Sequence, residues 1–484
     1  MKLTEADFLS IREAVAAIPG DVSNDAVGAY APRLQDMYAP ATHVAALDPT
    51  TPIVVGSRGA GKSFWSGVLG QAETRQAASL AYPGLKLDAV TVAFGFTGVG
   101  GPDGFGVDAL NQFVPSDADR EAMRSFWWAT VLRAVNQATN GNAKFREILE
   151  TSKDWELREN FLSRSEENFR ATGVTLLVVY DALDTIAITW PRRRLLTETL
   201  LEVVWAMRAY RTIRLKLFLR PDQIDDDELK FIELPKLRTG AVRLNWTKTD
   251  LYGLLYSRLM MSHENVSFQR LVESLRIPSA DRTEILARRW ELSYSSTDQA
   301  RVMTKLAGEF MAEGPYGYKK GRTYDWPLTH LADAFDEVTP RSFLGLMIAA
   351  AKFGSVPTKR ALTADGIRHG LRAASKTRVD QLHLEFPWIK GVLAPMAGLL
   401  MPQNEHEVFK TWKRAGTVDE LVKDAEENNY LPPFEMTGRN RELALFEALK
   451  RIGVMFRRKD DRLDMPDLFR VAAKLLKKGG TAPV

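Results

Sequence analysis

Hydrophobic residues in the first half of the chain are grouped into short runs that end at glycine or at a charged residue. The runs span residues 53–55, 89–94, 174–180 and 213–219. Short runs rich in Val, Ile and Leu are typical of parallel strands buried on both faces. Between the last two runs, apolar positions in residues 195–210 recur at helical spacing and predict a crossover helix. The pattern therefore predicts an α/β fold built on a parallel sheet, with a loop after residue 94.

Helical periodicity replaces this pattern from about residue 245. Thr249 is a suitable N-cap for the first of these helices, and another helix is expected to open at residues 338–344. A short loop at residues 353–357 precedes further helical patterns, which indicate a separate C-terminal region. The boundary of that region is fixed only to within about ten residues, because composition does not change sharply there.

The end of the chain predicts a helix, a β-hairpin and a second helix. The first helix spans residues 443–451, and the hairpin turns at 459–461. Pro466 then opens a last helix that is expected to run to about Lys478, with glycines after it as a stop signal. This order resembles part of a winged-helix module.

Composition narrows the classes of protein and of site. The chain has 484 residues, no cysteine and six histidines without an H-x-x-x-H pair, so thiolate or paired-histidine zinc sites are not expected. The net charge of +4 is too small to indicate nucleic-acid binding by itself. The first residues lack a basic segment followed by an apolar core, and the uncharged stretches are too short to cross a bilayer. We therefore expect a cytoplasmic protein without membrane segments.

The run at residues 53–55 leads into a G-x-x-x-x-G-K-S motif. Its residues are Gly56, Ser57, Arg58, Gly59, Ala60, Gly61, Lys62 and Ser63. Glycines at a strand end let successive backbone N–H groups curl around a phosphate, and the following helix points its positive end at the same group. Lys62 is expected to reach the β- and γ-phosphates of ATP, and the Ser63 hydroxyl to bind Mg²⁺. A chance glycine turn is the alternative, which the strand, loop and helix signals together make the weaker explanation.

Two acids follow the strand predicted at 174–180. Asp181 stands at its carboxyl end, where ligands bind in open α/β sheets, and is expected to hold Mg²⁺ opposite Ser63. Asp184 is expected to polarise the attacking water, with a helix N-cap as an equally weighted alternative. Arg220 ends the next strand and is expected to stabilise the γ-phosphate, unless it is a surface residue of the turn before Pro221.

These three motifs together resemble the STAND branch of AAA+-like P-loop ATPases, which includes NACHT-type proteins and has origin-recognition ATPases as more distant relatives. The small Ala182 after the first acid, the second acid at Asp184 and the strand-end Arg220 are similar to its pattern. The chain departs from it at Thr185, where NACHT proteins usually carry a further acid, and it lacks the adjacent Asp-Glu pair of ordinary AAA+ enzymes. The departures favour a slow ATP-dependent switch over fast, processive hydrolysis.

The resemblance implies a parallel-sheet P-loop NTPase core with a helical lid and a C-terminal winged-helix domain. We expect an N-terminal helical segment at residues 1–45, the ATPase core at 46–245 and the helical lid at 246–354. A C-terminal helical region is expected at 355–484, with the winged helix at about 440–484. Arg341, at the start of a lid helix, resembles the family's lid-borne sensor arginine and is expected to contact the nucleotide; an exposed arginine is an equally good interpretation. Bacterial relatives act in defence, and the resemblance extends that expectation to this chain, with a separate effector chain.

Two functions remain open at this point. The first is an ATP-dependent switch that acts on a protein partner, is read out by homo-oligomerisation and hydrolyses ATP slowly. The second is a DNA-associated ATPase of the origin-recognition type that binds duplex DNA through a basic wing formed by Arg457, Arg458, Lys459 and Arg462. A winged helix that makes protein contacts explains the same residues equally well. A metabolic kinase with the same P-loop is a third, weaker alternative.

Overall fold

The computed structural model describes residues 3–19, 31–101, 104–187, 189–225, 229–355, 357–428, 430, 432–433 and 440–483. Across these residues the strands are β1 Ile53–Val55, β2 Val90–Gly98, β3 Phe105–Gly106, β4 Thr175–Tyr180, β5 Ile213–Leu219, β6 Val242–Arg243, β7 Leu400–Met401, β8 Phe456–Arg457, β9 Leu463–Asp464 and β10 Leu476–Lys477. The α-helices of the first half are α1 Glu5–Ala16, α2 Val44–Leu47, α3 Lys62–Gly70, α4 Ala72–Ala81, α5 Val107–Phe113, α6 Arg120–Ala138, α7 Phe145–Lys153, α8 Trp155–Thr172, α9 Trp190–Ala206, α10 Pro221–Ile224 and α11 Leu234–Thr239. Those of the second half are α12 Lys248–Met260, α13 Val266–Ser274, α14 Arg282–Leu286, α15 Ser296–Ala307, α16 Trp326–Leu331, α17 Pro340–Lys352, α18 Ala364–Glu385, α19 Ile389–Leu393, α20 Glu405–Arg414, α21 Thr417–Glu427, α22 Arg441–Arg451 and α23 Asp467–Arg470.

The chain forms two compact units. Residues 21–245 make up one of them, here named the sheet unit. Residues 1–20 and 246–484 make up the other, here named the helical unit. The finer division into core, lid and C-terminal region stays a prediction. Among the described residues, no helix is both long enough and apolar enough to span a bilayer.

The sheet unit contains a six-stranded parallel sheet in the order β3-β2-β4-β5-β1-β6. The α/β fold with a parallel sheet is therefore as predicted. β5 lies between β1 and β4, with Leu217 paired to Ile53 on one side and to Tyr180 on the other. Because parallel strands end at the same edge, the residues that follow these three strands lie side by side.

Most strand predictions agree closely with the structure, and β2 is the exception. β4 and β5 end at Tyr180 and Leu219, as the apolar runs predict. β2 continues to Gly98, beyond the predicted end at residue 94, because its pairing moves on from Phe94 to Phe96 through a register shift against β4. A glycine in a strand often marks such an irregularity. Here Gly95 also has a packing role, since a Cβ at that position would lie 2.3 Å from the Tyr180 ring.

Aromatic residues of α6 pack on one face of this sheet. Trp127 is fully buried and makes edge contacts with the rings of Phe96 and Tyr180, at centroid distances of 6.0 and 6.1 Å. Its indole N–H donates to the carbonyl of Leu196 on α9, at 2.9 Å. The Tyr180 hydroxyl is paired with that of Thr130, at 2.8 Å, so the polar atoms of Trp127, Tyr180 and Thr130 are hydrogen-bonded, whereas the Trp128 indole nitrogen is buried without a hydrogen bond to any described residue. Trp127 and Trp128 are thus both part of the core.

In the helical unit, helix starts follow local capping chemistry. Thr247, and not the predicted Thr249, caps α12: its hydroxyl accepts from the backbone N–H of Asp250, and the Asp250 carboxylate accepts from Thr247 in return. The reciprocal bonds form a capping box, which needs an acid three residues after the cap, and Thr249 has none at that spacing. Thr339 caps α17, with Pro340 in its first turn, which agrees with the predicted helix start.

The last predicted helix is wrong beyond its first turn. α23 ends at Arg470, and the chain then turns through Lys474, whose φ of 58° is incompatible with a right-handed helix. β10 follows and pairs with β7 in parallel. Hence Lys474 and Lys477 do not share a helix face. The predicted hairpin is present as antiparallel β8 and β9, and an isolated bridge joins Leu463 to Gln403.

Candidate nucleotide-binding site

The predicted phosphate-binding loop leaves β1 and enters α3 at Lys62, as the motif requires. Gly59 and Gly61 have φ values of 85° and 104°, which side-chain-bearing residues rarely adopt. The loop is closed by a bond from the Ala60 N–H to the Ser57 carbonyl, at 3.1 Å. A loop of this kind directs backbone N–H groups at an anion, with the start of a nine-residue helix beside it.

The Lys62 side chain lies over this loop. Its ammonium donates to the carbonyls of Gly56 and Ser57, at 2.7 and 3.3 Å. Gly56 leaves room for it, since a Cβ there would be 3.2 Å from the Lys62 side chain. The charge is therefore already positioned at the loop, where the β- and γ-phosphates of a nucleotide would lie.

Ser63 and Asp181 are brought together as predicted. The Ser63 hydroxyl lies near enough to the Asp181 carboxylate to act on its pKa, and Asp181, which follows β4, is almost fully buried. Burial raises the pKa of Asp181, although Ser63, the Ala182 backbone and the charge of Lys62 act in the opposite direction. Magnesium prefers a hydroxyl and a carboxylate of this kind, with phosphate and water oxygens completing its shell. The donor set fits Mg²⁺ bound together with a nucleotide.

The turn after Asp181 is strained at Ala182, whose φ is 54°. Positive φ is uncommon for a residue with a Cβ, and such strain is often found at functional sites. Gly98 at the end of β2 accommodates the turn, because a Cβ there would be 2.7 Å from the Ala182 methyl. The Thr185 hydroxyl donates to the Ala182 carbonyl, at 2.8 Å, which closes the turn that presents Asp184.

Asp184 faces a group of cations. Its carboxylate is 3.7 Å from the Arg220 guanidinium. Burial alone would raise the pKa of Asp184, but the charges of Arg220, Lys62 and Arg58 outweigh it and hold the pKa below its usual value. The acid is thus ionised at neutral pH and belongs to the same electrostatic cluster as the P-loop.

Arg220 is buried and not a surface residue. Its guanidinium makes two bonds to Asp222, both 2.8 Å long, in addition to its contact with Asp184. Neither Asp222 nor its neighbour Gln223 was predicted from the sequence. Gln223 donates to the Leu183 carbonyl at 2.9 Å and accepts from the Arg220 N–H at 3.0 Å, so it ties the end of β5 to the turn that carries Asp184. The only local signal for either residue is its place in the first turn after Arg220-Pro221.

Two further polar groups fix the approach to the P-loop. Lys216, in the middle of β5, is fully buried and donates to the carbonyls of Asp48 and Thr51, at 2.9 and 2.7 Å. Burial lowers the pKa of Lys216 to about 7. His43 accepts at Nδ1 from the Trp65 indole N–H of α3, at 3.0 Å, and its other ring nitrogen contacts the carbonyl of Asn245. Sequence reasoning found neither residue, since an isolated lysine or histidine carries no motif.

The remaining predicted site residues belong to the helical unit. Arg341 lies in the first turn of α17, and its role toward a nucleotide stays a prediction. The basic residues of the hairpin are paired with acids: Arg457 with Glu405, Arg458 with Asp464, and Arg462 with Asp460. No carboxylate lies within ion-pair distance of Lys459 in the described part of the chain.

Known proteins offer only a remote structural likeness. No family model and no curated protein matches the chain. Two solved structures of the Aeropyrum pernix ORC2 protein are similar to it. The ADPNP–ADP complexes align with a TM-score of 0.38 at 13% identity, over 86% of this chain and 84% of that one. The ADP form aligns with a TM-score of 0.30 at 14% identity, over 86% and 83%. Similarity this remote carries no inference about activity.

Proposed function

We propose that the protein binds ATP with Mg²⁺ at the P-loop and acts as a nucleotide-dependent switch with slow turnover. One observation carries the proposal: the carboxyl ends of β1, β4 and β5 bring the P-loop, Asp181 and Arg220 to one edge of the sheet. The sequence separations between these residues are large, so their convergence is not explained by local helix or turn chemistry.

Each residue of the site has a distinct part in the proposal. The loop N–H groups and Lys62 bind the phosphates, while Ser63 and Asp181 hold Mg²⁺, which neutralises the phosphate oxygens. Asp184 orients the attacking water. Because its pKa lies below the usual value, its carboxylate is a weak proton acceptor, which supports slow hydrolysis.

Arg220 supplies the switch. It is already bound to Asp222 and lies close to Asp184, so a γ-phosphate competes with two carboxylates for one guanidinium. Loss of the γ-phosphate returns the Arg220 guanidinium to Asp222 and to Asp184 in the turn after β4. A difference of this kind between ATP and ADP is what a switch needs, because a ligand changes an equilibrium only through unequal binding to its states.

The test is nucleotide binding measured by calorimetry, with Lys62→Ala as the variant. Removal of a charge that binds phosphate is expected to cost about 2–5 kcal/mol, so ATP binding falls by at least about thirtyfold. Lys153→Ala is a matched control, since Lys153 is an exposed lysine at the end of α7 in the same unit. Wild-type ATP affinity in Lys62→Ala refutes the site. Particle mass with ATP and with ADP tests the proposed homo-oligomer.

Duplex DNA as the partner is the second candidate. The order of elements favours it: α20, α21 and α22 precede the hairpin, and Gln403 adds a third strand segment to β9. This arrangement resembles a winged helix. Salt-dependent, ATP-dependent binding of duplex DNA that is abolished in R457Q/R458Q/K459Q supports this function. Binding of a protein instead supports the protein-triggered switch.

A part in bacterial defence, with a separate effector chain, rests on the family resemblance alone. Its test is protection of bacteria against phage by the wild-type protein and its loss in Lys62→Ala. Equal protection by both would separate any defensive role from nucleotide binding.

A further inference from the structure

A second polar surface lies on an ordered loop of the helical unit, at residues 309–323, here named the tyrosine loop. Its two ends are joined like a hairpin. The Met311 N–H donates to the Gly321 carbonyl and the Thr323 N–H to the Glu309 carbonyl, both at 2.9 Å. An antiparallel bridge between Phe310 and Arg322 completes the base. The loop is therefore built on a fixed stem.

The tip of the loop is fixed by glycines. Gly314 and Gly321 have φ values of 85° and 87°, so each turns the chain in a way that other residues resist. Gly317 is buried at the tip, where a Cβ would be 2.3 Å from the Ala312 carbonyl oxygen. Turn bonds run from the Gly317 N–H to Gly314 and from the Lys319 N–H to Tyr316, at 3.0 and 3.1 Å. The tip thus has one defined backbone, which reduces the entropy cost when it binds a partner.

Aromatic and cationic side chains face solvent from this backbone. Tyr316 and Tyr318 are 69% and 58% exposed, so two large aromatic rings face solvent in one short turn. Lys319 and Lys320 follow directly, and the Lys319 ammonium lies 4.9 Å from the centre of the Tyr316 ring. The ring and the charge are therefore presented together.

Among the described residues, no acid forms an ion pair with these cations. Residues 314–322 contain three cations and no carboxylate. The nearest acids in sequence already have partners, with Glu313 paired to Arg360 at 3.3 Å and Asp325 to Lys248 at 2.7 Å. None of the three loop cations lies within ion-pair distance of a carboxylate in the described part of the chain. The tip is positive as well as aromatic.

We propose that the tyrosine loop binds single-stranded nucleic acid. Its lysines and Arg322 would bind backbone phosphates, and the exposed rings of Tyr316 and Tyr318 would stack on bases. Stacking requires unpaired bases, whose faces a duplex conceals, so the two rings favour a single strand over a duplex. This surface is separate from the hairpin of the second candidate function, and it does not depend on nucleotide binding.

The test measures binding of a fluorescein-labelled oligothymidylate by fluorescence anisotropy at low salt. Y316L/Y318L removes the rings and keeps apolar bulk, and is expected to weaken binding about tenfold or more, since each stacked base contributes about 1–3 kcal/mol. Y316F/Y318F keeps the rings and is expected to bind like the wild type. Tyr294→Leu is the matched control, because Tyr294 is 55% exposed elsewhere in the same unit.

The lysines are tested by salt dependence. K319Q/K320Q is expected to reduce the slope of log K against log salt by about 1.4, or about 0.7 for each phosphate that a lysine no longer neutralises. K305Q/K352Q, which alters two exposed lysines of α15 and α17, is expected to leave the slope unchanged. The proposal is overturned if the wild type does not bind the oligothymidylate. Unchanged affinity in Y316L/Y318L, or tighter ring-independent binding of a duplex, overturns it too.

Discussion

Replacement of the buried Lys216 by methionine should remove a pH dependence from the stability of the sheet unit. Lys216 lies on β5, beside β1, and donates to the carbonyls of Asp48 and Thr51. These acceptors belong to the segment that enters the P-loop strand. Methionine has similar length and no charge, so Lys216→Met keeps the packing and removes the titrating group.

The expected magnitude follows from the pKa. Burial lowers the pKa of Lys216 from 10.5 to about 7, a difference of about 3.5 pH units, or about 5 kcal/mol at about 1.4 kcal/mol per unit. Below pH 7 the folded protein bears this whole cost, because the amine is protonated in both states. Between about pH 7 and 10.5 only the unfolded chain holds the proton, so stability rises with pH by about 1.4 kcal/mol per unit. In Lys216→Met that contribution is absent.

Hydrogen exchange of the β5 amides, followed by mass spectrometry, measures the relevant free energy of opening. The difference between wild type and Lys216→Met should increase with pH across this window. The two carbonyls left without a donor add a cost to the variant that does not depend on pH, so they change the offset and not the slope. For Lys153→Met, at an exposed position, the difference from the wild type should not change with pH. If the difference in the free energy of opening between wild type and Lys216→Met does not change with pH, the reasoning is refuted. The two carbonyls would then stabilise the charged amine as well as water does.

Three other changes test the two units. Asp181→Asn should reduce nucleotide affinity in the presence of Mg²⁺ and leave it unchanged in EDTA. Because burial raises the pKa of Asp181, the wild type should lose Mg²⁺-dependent affinity as pH falls through that pKa. Titration calorimetry checks both outcomes. Arg220→Gln should reduce the preference for ATP over ADP about tenfold or more, as expected when a hydrogen bond to a charged group is removed, and unchanged ADP affinity is its internal control. Asp467→Asn should lower the urea midpoint of the helical unit, because it removes the carboxylate bonded at 2.6 Å to the buried Arg470, at a cost of about 3–5 kcal/mol. Burial acts to raise the pKa of Asp467, yet its His330 bond and the Arg470 charge hold it far below the usual value, so this stability is present above about pH 4 and is lost as pH falls through the lowered pKa. A midpoint difference that persists unchanged in strong acid would contradict this account.

The parts of the fold that the sequence predicts well are those with a local cause. β4 is an apolar run that ends at an acid, and α3 begins where the glycines of the P-loop end. The proximity of Ser63 and Asp181 follows from the parallel sheet, since Asp181 directly follows β4 and Ser63 lies in the first turn of α3, which the P-loop joins to the carboxyl end of β1. Motif and topology together predict this proximity, and the part of both residues in binding Mg²⁺ stays a prediction.

The end of the chain shows why local pattern fails elsewhere. The apolar residues after Pro466 recur at helical spacing, yet the helix ends at Arg470. The guanidinium of Arg470 is fully buried and donates to the carbonyls of Leu475 and Thr481, at 2.8 and 2.9 Å. These hydrogen bonds stabilise the segment after α23, where the chain leaves the helix and β10 pairs with β7. A tertiary partner far away in sequence therefore overrides the helical pattern.

Arg220 illustrates the same limit within the site. Its position at a strand end predicts a place near the phosphates, but its bonds to Asp222 and its ion pair with Asp184 could not be predicted, because they depend on the turn between β5 and α10. Those bonds change the chemistry expected of it. A solvated arginine is always available to a phosphate, whereas Arg220 must be released from two acids first.

Charge counted along the sequence is likewise a poor guide to where phosphate binds. The hairpin at 457–464 has four cations, but three carboxylates stand among them, and Glu405 adds a fourth. The exposed pairs of Arg457 with Glu405 and of Arg462 with Asp460 contribute only about 0–1 kcal/mol each, so a phosphate could displace these acids, but the displaced carboxylates would remain nearby and repel it. Asp464, the partner of Arg458, is buried. The tyrosine loop has fewer cations and no acid among residues 314–322. Three of the four hairpin cations are therefore paired with acids, whereas none of the three cations at the tip of the tyrosine loop, where the sequence predicts no site, is so paired in the described part of the chain. Neutralising variants of the hairpin and of the loop distinguish charges that hold the fold together from charges that bind a ligand.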